Sequence, residues 1–86
     1  MDVQQDICHY ILSQTAGKLG ESVDVDYDLI ESGIMDSLFM MGVITHLEQR
    51  YQMQFGLHDI VPRNFRTIRT LSDFVARALA DNRVAI

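Results

Sequence analysis

The chain holds a single cysteine, Cys8, which rules out an internal disulfide and fits a reducing compartment. It has no long apolar run either. The longest uninterrupted stretch, Leu38 to Ile44 with Gly42 inside it, is far too short to cross a bilayer. The opening residues Met1-Asp2-Val3-Gln4-Gln5-Asp6 lack the basic start and apolar run of a secretory signal. These absences predict a cytoplasmic protein with no membrane insertion. No repeat, low-complexity segment or sustained strand-like alternation is present. Basic residues are scarce where the acids concentrate: residues 1–56 hold nine acids against Lys18 and Arg50, a net of −7. Residues 57–86 hold five arginines against Asp59, Asp73 and Asp81, a net of +2. Phosphate backbones require a basic surface, so nucleic-acid binding is disfavoured. The acidic part would draw in partners with basic patches, or would simply keep a small domain in solution, and charge alone does not separate the two.

What is present is enough for one core. Eighty-six residues, 48% hydrophobic and 22% charged, make a single globular domain over 1–86, expected to be a monomer. Asp2 with Gln5 forms a capping-box variant that opens a first helix. Val3, Ile7, Ile11 and Thr15 recur every four residues beside Cys8 and Leu12, an apolar stripe that Gly17 is expected to end. Cys8 on that stripe reads as a small buried hydrophobe rather than a nucleophile.

A long connection follows over 18–36, with Gly20, Gly33 and five acids before Met35; loops of this length in compact domains are usually functional. Tyr27, Leu29, Ile30 and Ile34 are expected to pin it to the bundle. Asp24, Asp26 and Asp28 invite a calcium reading, but the sixth loop position is Leu29 instead of Gly and the twelfth is Met35 instead of Glu, so the ion could not be wrapped.

The next helix is predicted from Asp36-Ser37 to about Tyr51, with Met40, Val43, Ile44, Leu47 and Tyr51 on its core face. Gly56 marks a break, and Leu57 to Val61 before Pro62 reads as a short third helix or turn. Thr70 with Asp73 is a second capping-box variant, opening a last helix whose inward stripe is Leu71, Phe74, Val75, Ala78 and Leu79. Residues 81–86 read as a frayed tail. The fold class is therefore all-α: a small four-helix bundle of three main helices and a short third.

The chemistry is concentrated in Asp28-Leu29-Ile30-Glu31-Ser32-Gly33-Ile34-Met35-Asp36-Ser37-Leu38. A long loop delivers an Asp-Ser pair to the start of an amphipathic helix, where unpartnered N–H groups and the macrodipole favour an anion. A phosphodiester on the Ser37 hydroxyl would sit at that end. Asp36 can cap the helix and leave Ser37 facing solvent, while Gly33 lets the chain turn just ahead of it. Taken alone, Asp and Ser are ordinary helix-start residues. The weight comes from the layout: loop, tripeptide and second helix in a domain of this size.

That layout resembles the acyl and peptidyl carrier protein family over nearly the whole chain. The matching elements are the Leu29 to Gly33 lead-in, Asp36-Ser37-Leu38, Leu47-Glu48-Gln49-Arg50-Tyr51, and Thr70-Leu71-Ser72-Asp73-Phe74-Val75. The resemblance implies that Ser37 receives 4'-phosphopantetheine from coenzyme A through a separate phosphopantetheinyl transferase, with Asp36 and Leu38 flanking it for recognition. It further implies that the arm's thiol carries an acyl or aminoacyl group as a thioester and that the carrier itself catalyses nothing. An adenylating ligase or acyltransferase would load the cargo, and a downstream acyl-accepting or modifying enzyme would receive it. Carriers of the fatty-acid synthase type follow Leu38 with acids. Here Phe39-Met40-Met41-Gly42-Val43 stands instead, closer to discrete peptidyl, D-alanyl and other specialised-pathway carriers.

Leu38, Met41 and Thr45, with Gly42 alongside, project away from the core stripe and form a candidate partner surface. Met suits a surface that fits several partners in turn. Gly42 costs about 1 kcal/mol relative to Ala in a helix interior, which points to close approach by another chain. The competing expectation is that the third helix covers part of this patch. An enzyme would need a base beside Ser37; His46 lies on the opposite side of the helix and roughly 13 Å along it. The remaining alternative is a helical adaptor that uses the Leu38/Met41 patch with Ser37 as a mere cap.

Overall fold

A computed structural model describes residues 2–15, 19–20 and 22–81. Its regular elements are four α-helices, α1 (Val3–Gln14), α2 (Ser37–Tyr51), α3 (Pro62–Phe65) and α4 (Ile68–Ala80), with a 3-10 turn at Leu57–Asp59. The fold is all-α, as expected. Among the described residues no helix is long and apolar enough to cross a membrane.

Helix α1 opens as the sequence predicts: the Gln5 N–H donates to Asp2 Oδ1 at 2.7 Å. Ile7 and Ile11 are fully buried, and Thr15 closes the helix with its hydroxyl donating to the Leu12 carbonyl. The expected stop at Gly17 lies outside the described residues. Cys8 is half-buried against the core. In α2, Val43, Ile44 and Leu47 are buried, with Met40 and Tyr51 half-buried at the edge. This helix ends after Tyr51, as expected, and its cap is Gln52, in the left-handed region (φ 53°). The Gln52 and Met53 N–H groups both donate to the Glu48 carbonyl, and Met53 is buried; this bonding and burial hold the turn in a conformation that costs a non-glycine residue energy.

Two boundaries differ from expectation. The segment after Gly56 is a 3-10 turn, within the expected short helix or turn, but Pro62 then opens a further short helix, α3, because its fixed φ and missing N–H suit a first helical position. Helix α4 begins two residues before Thr70. Thr67 is the cap, its Oγ1 accepting from the Thr70 N–H at 3.0 Å while Thr70 Oγ1 accepts from the Thr67 N–H at 3.2 Å. Asp73 takes no part in this box, because Thr70 occupies its third position. The inward face then carries Ile68, Leu71, Phe74, Val75 and Ala78, with Leu79 half-buried. Asp81, placed in the tail by sequence, is the C-terminal cap, its N–H donating to the Arg77 carbonyl.

Helix α4 packs against α1 and α3, and its stripe meets Leu47, Phe65 and the α1 isoleucines in one core. Phe55 stacks on Phe74 at 5.1 Å and lies 5.8 Å from Phe65. The connection ahead of α2 is tied to the start of α4 by backbone bonds, Leu29 N–H to the Arg66 carbonyl (2.7 Å) and Arg69 N–H to the Val25 carbonyl (3.0 Å). Its apolar pins are Leu29 and Met35, both buried. Ile30 packs half-buried against the core, whereas Tyr27 is exposed and pins nothing.

Candidate attachment site

The acids of the connection act as local fasteners. Asp24 Oδ1 accepts from the Asp26 N–H, and Asp28 Oδ1 accepts from the N–H groups of Ile30 and Glu31. Arg69 grips Asp26 through two bonds of 2.7 and 3.1 Å, and Arg66 reaches Asp28 at 3.0 Å. The Arg69 hydrogen bond holds the Asp26 carboxyl below the usual carboxylate range; for Asp28 the Glu31 N–H is the largest cause, with Arg66 adding to it. The acid-rich loop and the arginine-rich end of the sequence thus partly neutralise each other.

From Asp28 the chain coils through Ser32 N–H to the Asp28 carbonyl and Gly33 N–H to the Ile30 carbonyl. Gly33 then turns it at φ 86°, a conformation that favours glycine. Met35, buried and donating its N–H to the Leu29 carbonyl at 2.9 Å, anchors the far side of the turn. Asp36 follows in extended conformation as the cap of α2, its Oδ1 accepting from the Phe39 N–H at 2.8 Å. Ser37 is the first helical residue and is exposed. Because Asp36 does the capping, the Ser37 hydroxyl is not required by the fold. It stands at the partly positive helix end, where a phosphodiester is stabilised by N–H groups that have no intrahelical acceptor.

Leu38 and Met41 are 84% and 57% exposed, so no element of the described residues covers them, and Thr45 is exposed one turn further on. Gly42 has a different explanation from the expected one. A β-carbon there would lie 2.8 Å from the Tyr10 hydroxyl, so the close neighbour is α1 of the same chain. Tyr10 lies across α2, edge-on to Phe39 (6.3 Å) and stacked on His46 (4.3 Å). His46 itself faces inward, its Nε2 3.4 Å from the buried Asp6. Asp6 also accepts from the Tyr51 hydroxyl at 2.9 Å and lies 3.5 Å from Arg50 Nε. Sequence reasoning missed both Tyr10 and Asp6. The available signal was an acid and a tyrosine four residues apart, sharing the helix face next to the Ile7/Ile11 stripe.

A chain of the solved structure "Crystal structure of FAD-dependent dehydrogenase" matches with a TM-score of 0.72 and 29% identity, over 80% of this chain and 97% of that one. No curated protein matches. The family model "Phosphopantetheine attachment site" matches residues 9–75, a span that includes the loop, Asp36-Ser37-Leu38, α2 and most of α4. The chain therefore belongs to the phosphopantetheine-attachment family, as a non-catalytic carrier that holds 4'-phosphopantetheine covalently.

Proposed function

We propose that Ser37 is the attachment point and that the carrier shuttles an acyl or aminoacyl group between biosynthetic enzymes. The observation that carries this is the division of labour at the start of α2: Asp36 caps the helix, and the exposed Ser37 hydroxyl is left for chemistry. In the attachment step, catalysed by a phosphopantetheinyl transferase, the Ser37 oxygen loses its proton and takes the phosphopantetheinyl group of coenzyme A, whose nucleotide portion leaves. When bound, the group supplies a terminal thiol on which cargo is held as a thioester. Asp36 fixes the orientation of the first helical turn, and Leu38 with Met41 presents an apolar face to the transferase, to a loading ligase or acyltransferase, and to a downstream enzyme. Family membership sets aside the reading of the chain as a mere adaptor.

Within the family we place the chain with the discrete peptidyl, D-alanyl and specialised-pathway carriers, acting as a monomeric single domain in the cytoplasm. The support is the apolar sequence after Leu38, where carriers of the fatty-acid type have acids. The likeness to a chain of the FAD-dependent dehydrogenase structure makes oxidation of the carried group by a flavin enzyme the first modifying step to test. The decisive experiment is intact mass after co-expression with a broad-specificity transferase. The arm is expected on the wild type and on Ser13→Ala, Ser32→Ala and Ser72→Ala, and on none of the Ser37→Ala protein. Labelling of Ser37→Ala by a coenzyme A analogue would sink the assignment.

A further inference from the structure

We infer that the surface furrow between α1 and α2 is a resting site for the pantetheine arm, so that the arm covers the Leu38/Met41 face until a partner displaces it. The inference deepens the proposal above and rests on Ser37 as the attachment point.

The furrow starts beside Asp36 and runs along α2 past Leu38, Met41 and Gly42 to Thr45, with Tyr10 of α1 as its opposite wall. From Ser37 to Thr45 it follows α2 for about 12 Å, eight residues of helical rise. Its floor exists because position 42 has no side chain: the 2.8 Å approach of the Tyr10 hydroxyl leaves no room for a β-carbon. The wall is fixed, since the Tyr10 ring is stacked on His46 and set edge-on to Phe39. Leu38 and Met41 stand along it as the large apolar side chains of α2 that the fold leaves in water.

The arm has the complementary chemistry. It leaves Ser37 as a phosphodiester, continues as a branched dimethyl segment and then as two amides. The dimethyl segment would meet Leu38 and Met41 first and remove their apolar surface from water. The amides would follow beside the Tyr10 hydroxyl and Thr45. Tethering favours this occupant over any free molecule, because a ligand on a short flexible link meets its site at an effective concentration of about millimolar. A second hollow, on the Ser32, Ile34 and Thr15 side of Asp36, has no large exposed apolar side chain to be covered.

The test is a comparison of apo and holo protein by NMR, after intact mass has established one arm on Ser37. Holo-minus-apo amide shifts are expected at Leu38, Met41, Gly42, Thr45 and, across the furrow, Tyr10, with nuclear Overhauser contacts from the arm's methyls to Leu38 and Met41. Met41→Asp, compared only after intact mass shows the arm fully in place on that variant, is expected to lose those contacts. Shifts confined to Ser37 and its chain neighbours, or contacts to Ile34 and Thr15 instead, would overturn the resting site and leave the attachment reading standing. An arm found on another residue would overturn both.

Discussion

The Tyr51 hydroxyl donates a 2.9 Å hydrogen bond to Asp6 Oδ2, joining the last residue of α2 to the first turn of α1 around a carboxylate that is only 7% exposed. With His46 and Arg50 also beside Asp6, this polar cluster fixes how α1 lies against α2. Asp6→Ala should cost about 2 kcal/mol and Tyr51→Phe about 1 kcal/mol in urea unfolding, and the double variant should lose less than their sum. Burial, followed by the Asp6 hydrogen bond and charge, raises the Tyr51 pKa above its ordinary value of 10.0. The folded protein therefore holds the phenol proton more tightly than the unfolded chain. That contribution is complete below pH 10 and is lost as pH climbs from there through the folded pKa. The stability gap between wild type and Tyr51→Phe should narrow above about pH 10.

Gly33 and Gly20 both sit at positive φ, 86° and 74°, with open space where a β-carbon would go. Ala at either position should cost about 1 kcal/mol through backbone strain alone. Only Gly33→Ala bends the turn that leads into Ser37. Its modification by the transferase, followed by intact mass over time, should slow, whereas Gly20→Ala should be modified at the wild-type rate.

Leu38→Asp and Met41→Asp should leave the circular dichroism of the protein nearly unchanged, because both side chains already stand in water. Each should impair cargo transfer. Val43→Asp, at a position 1% exposed, places an unpaired carboxylate in the core and should unfold the domain. Raising salt should weaken transfer only modestly, since screening acts on exposed charges and hardly on apolar contacts.

The Asp26–Arg69 pair predicts an acid limb. Because Asp26 has a lowered folded pKa, its contribution is present above the unfolded value of about 3.8 and is lost as pH falls through the folded one. The urea midpoint of wild type should therefore exceed that of Arg69→Gln at about pH 6, and the difference should shrink as pH falls below about 3.8. The difference should be small, as both side chains are largely exposed.

The all-α class, the limits of α2 and the Asp36 cap were legible in the sequence because they rest on local rules: apolar spacing and a side chain bonding three residues on. The limits that shifted depend on partners further away. Helix α4 starts at Ile68 because Thr67 and Thr70 close a reciprocal box that Thr70 alone does not reveal. Gln52 ends α2 with nothing in its identity to mark a left-handed residue. Near the site, the exposure of Leu38 and Met41 followed from the helical wheel, but the reason for Gly42 did not. It lies on α1, thirty-two residues earlier, in the ring of Tyr10.

The bonds from Arg66 and Arg69 to the connection at Val25–Leu29 also bear on when the carrier can be modified. On a ribosome, Asp36-Ser37-Leu38 emerges well before residues 66–69. Until those arrive, the loop has no backbone acceptor at Arg66, no guanidinium on Asp26 or Asp28, and no α4 stripe beneath Leu29. The serine is made early, but the surface that presents it is finished only when the far end of the chain has folded back. With Ser37 as the proposed attachment point, a transferase that reads this surface is expected to modify the full folded chain and not a fragment that stops short of residue 66.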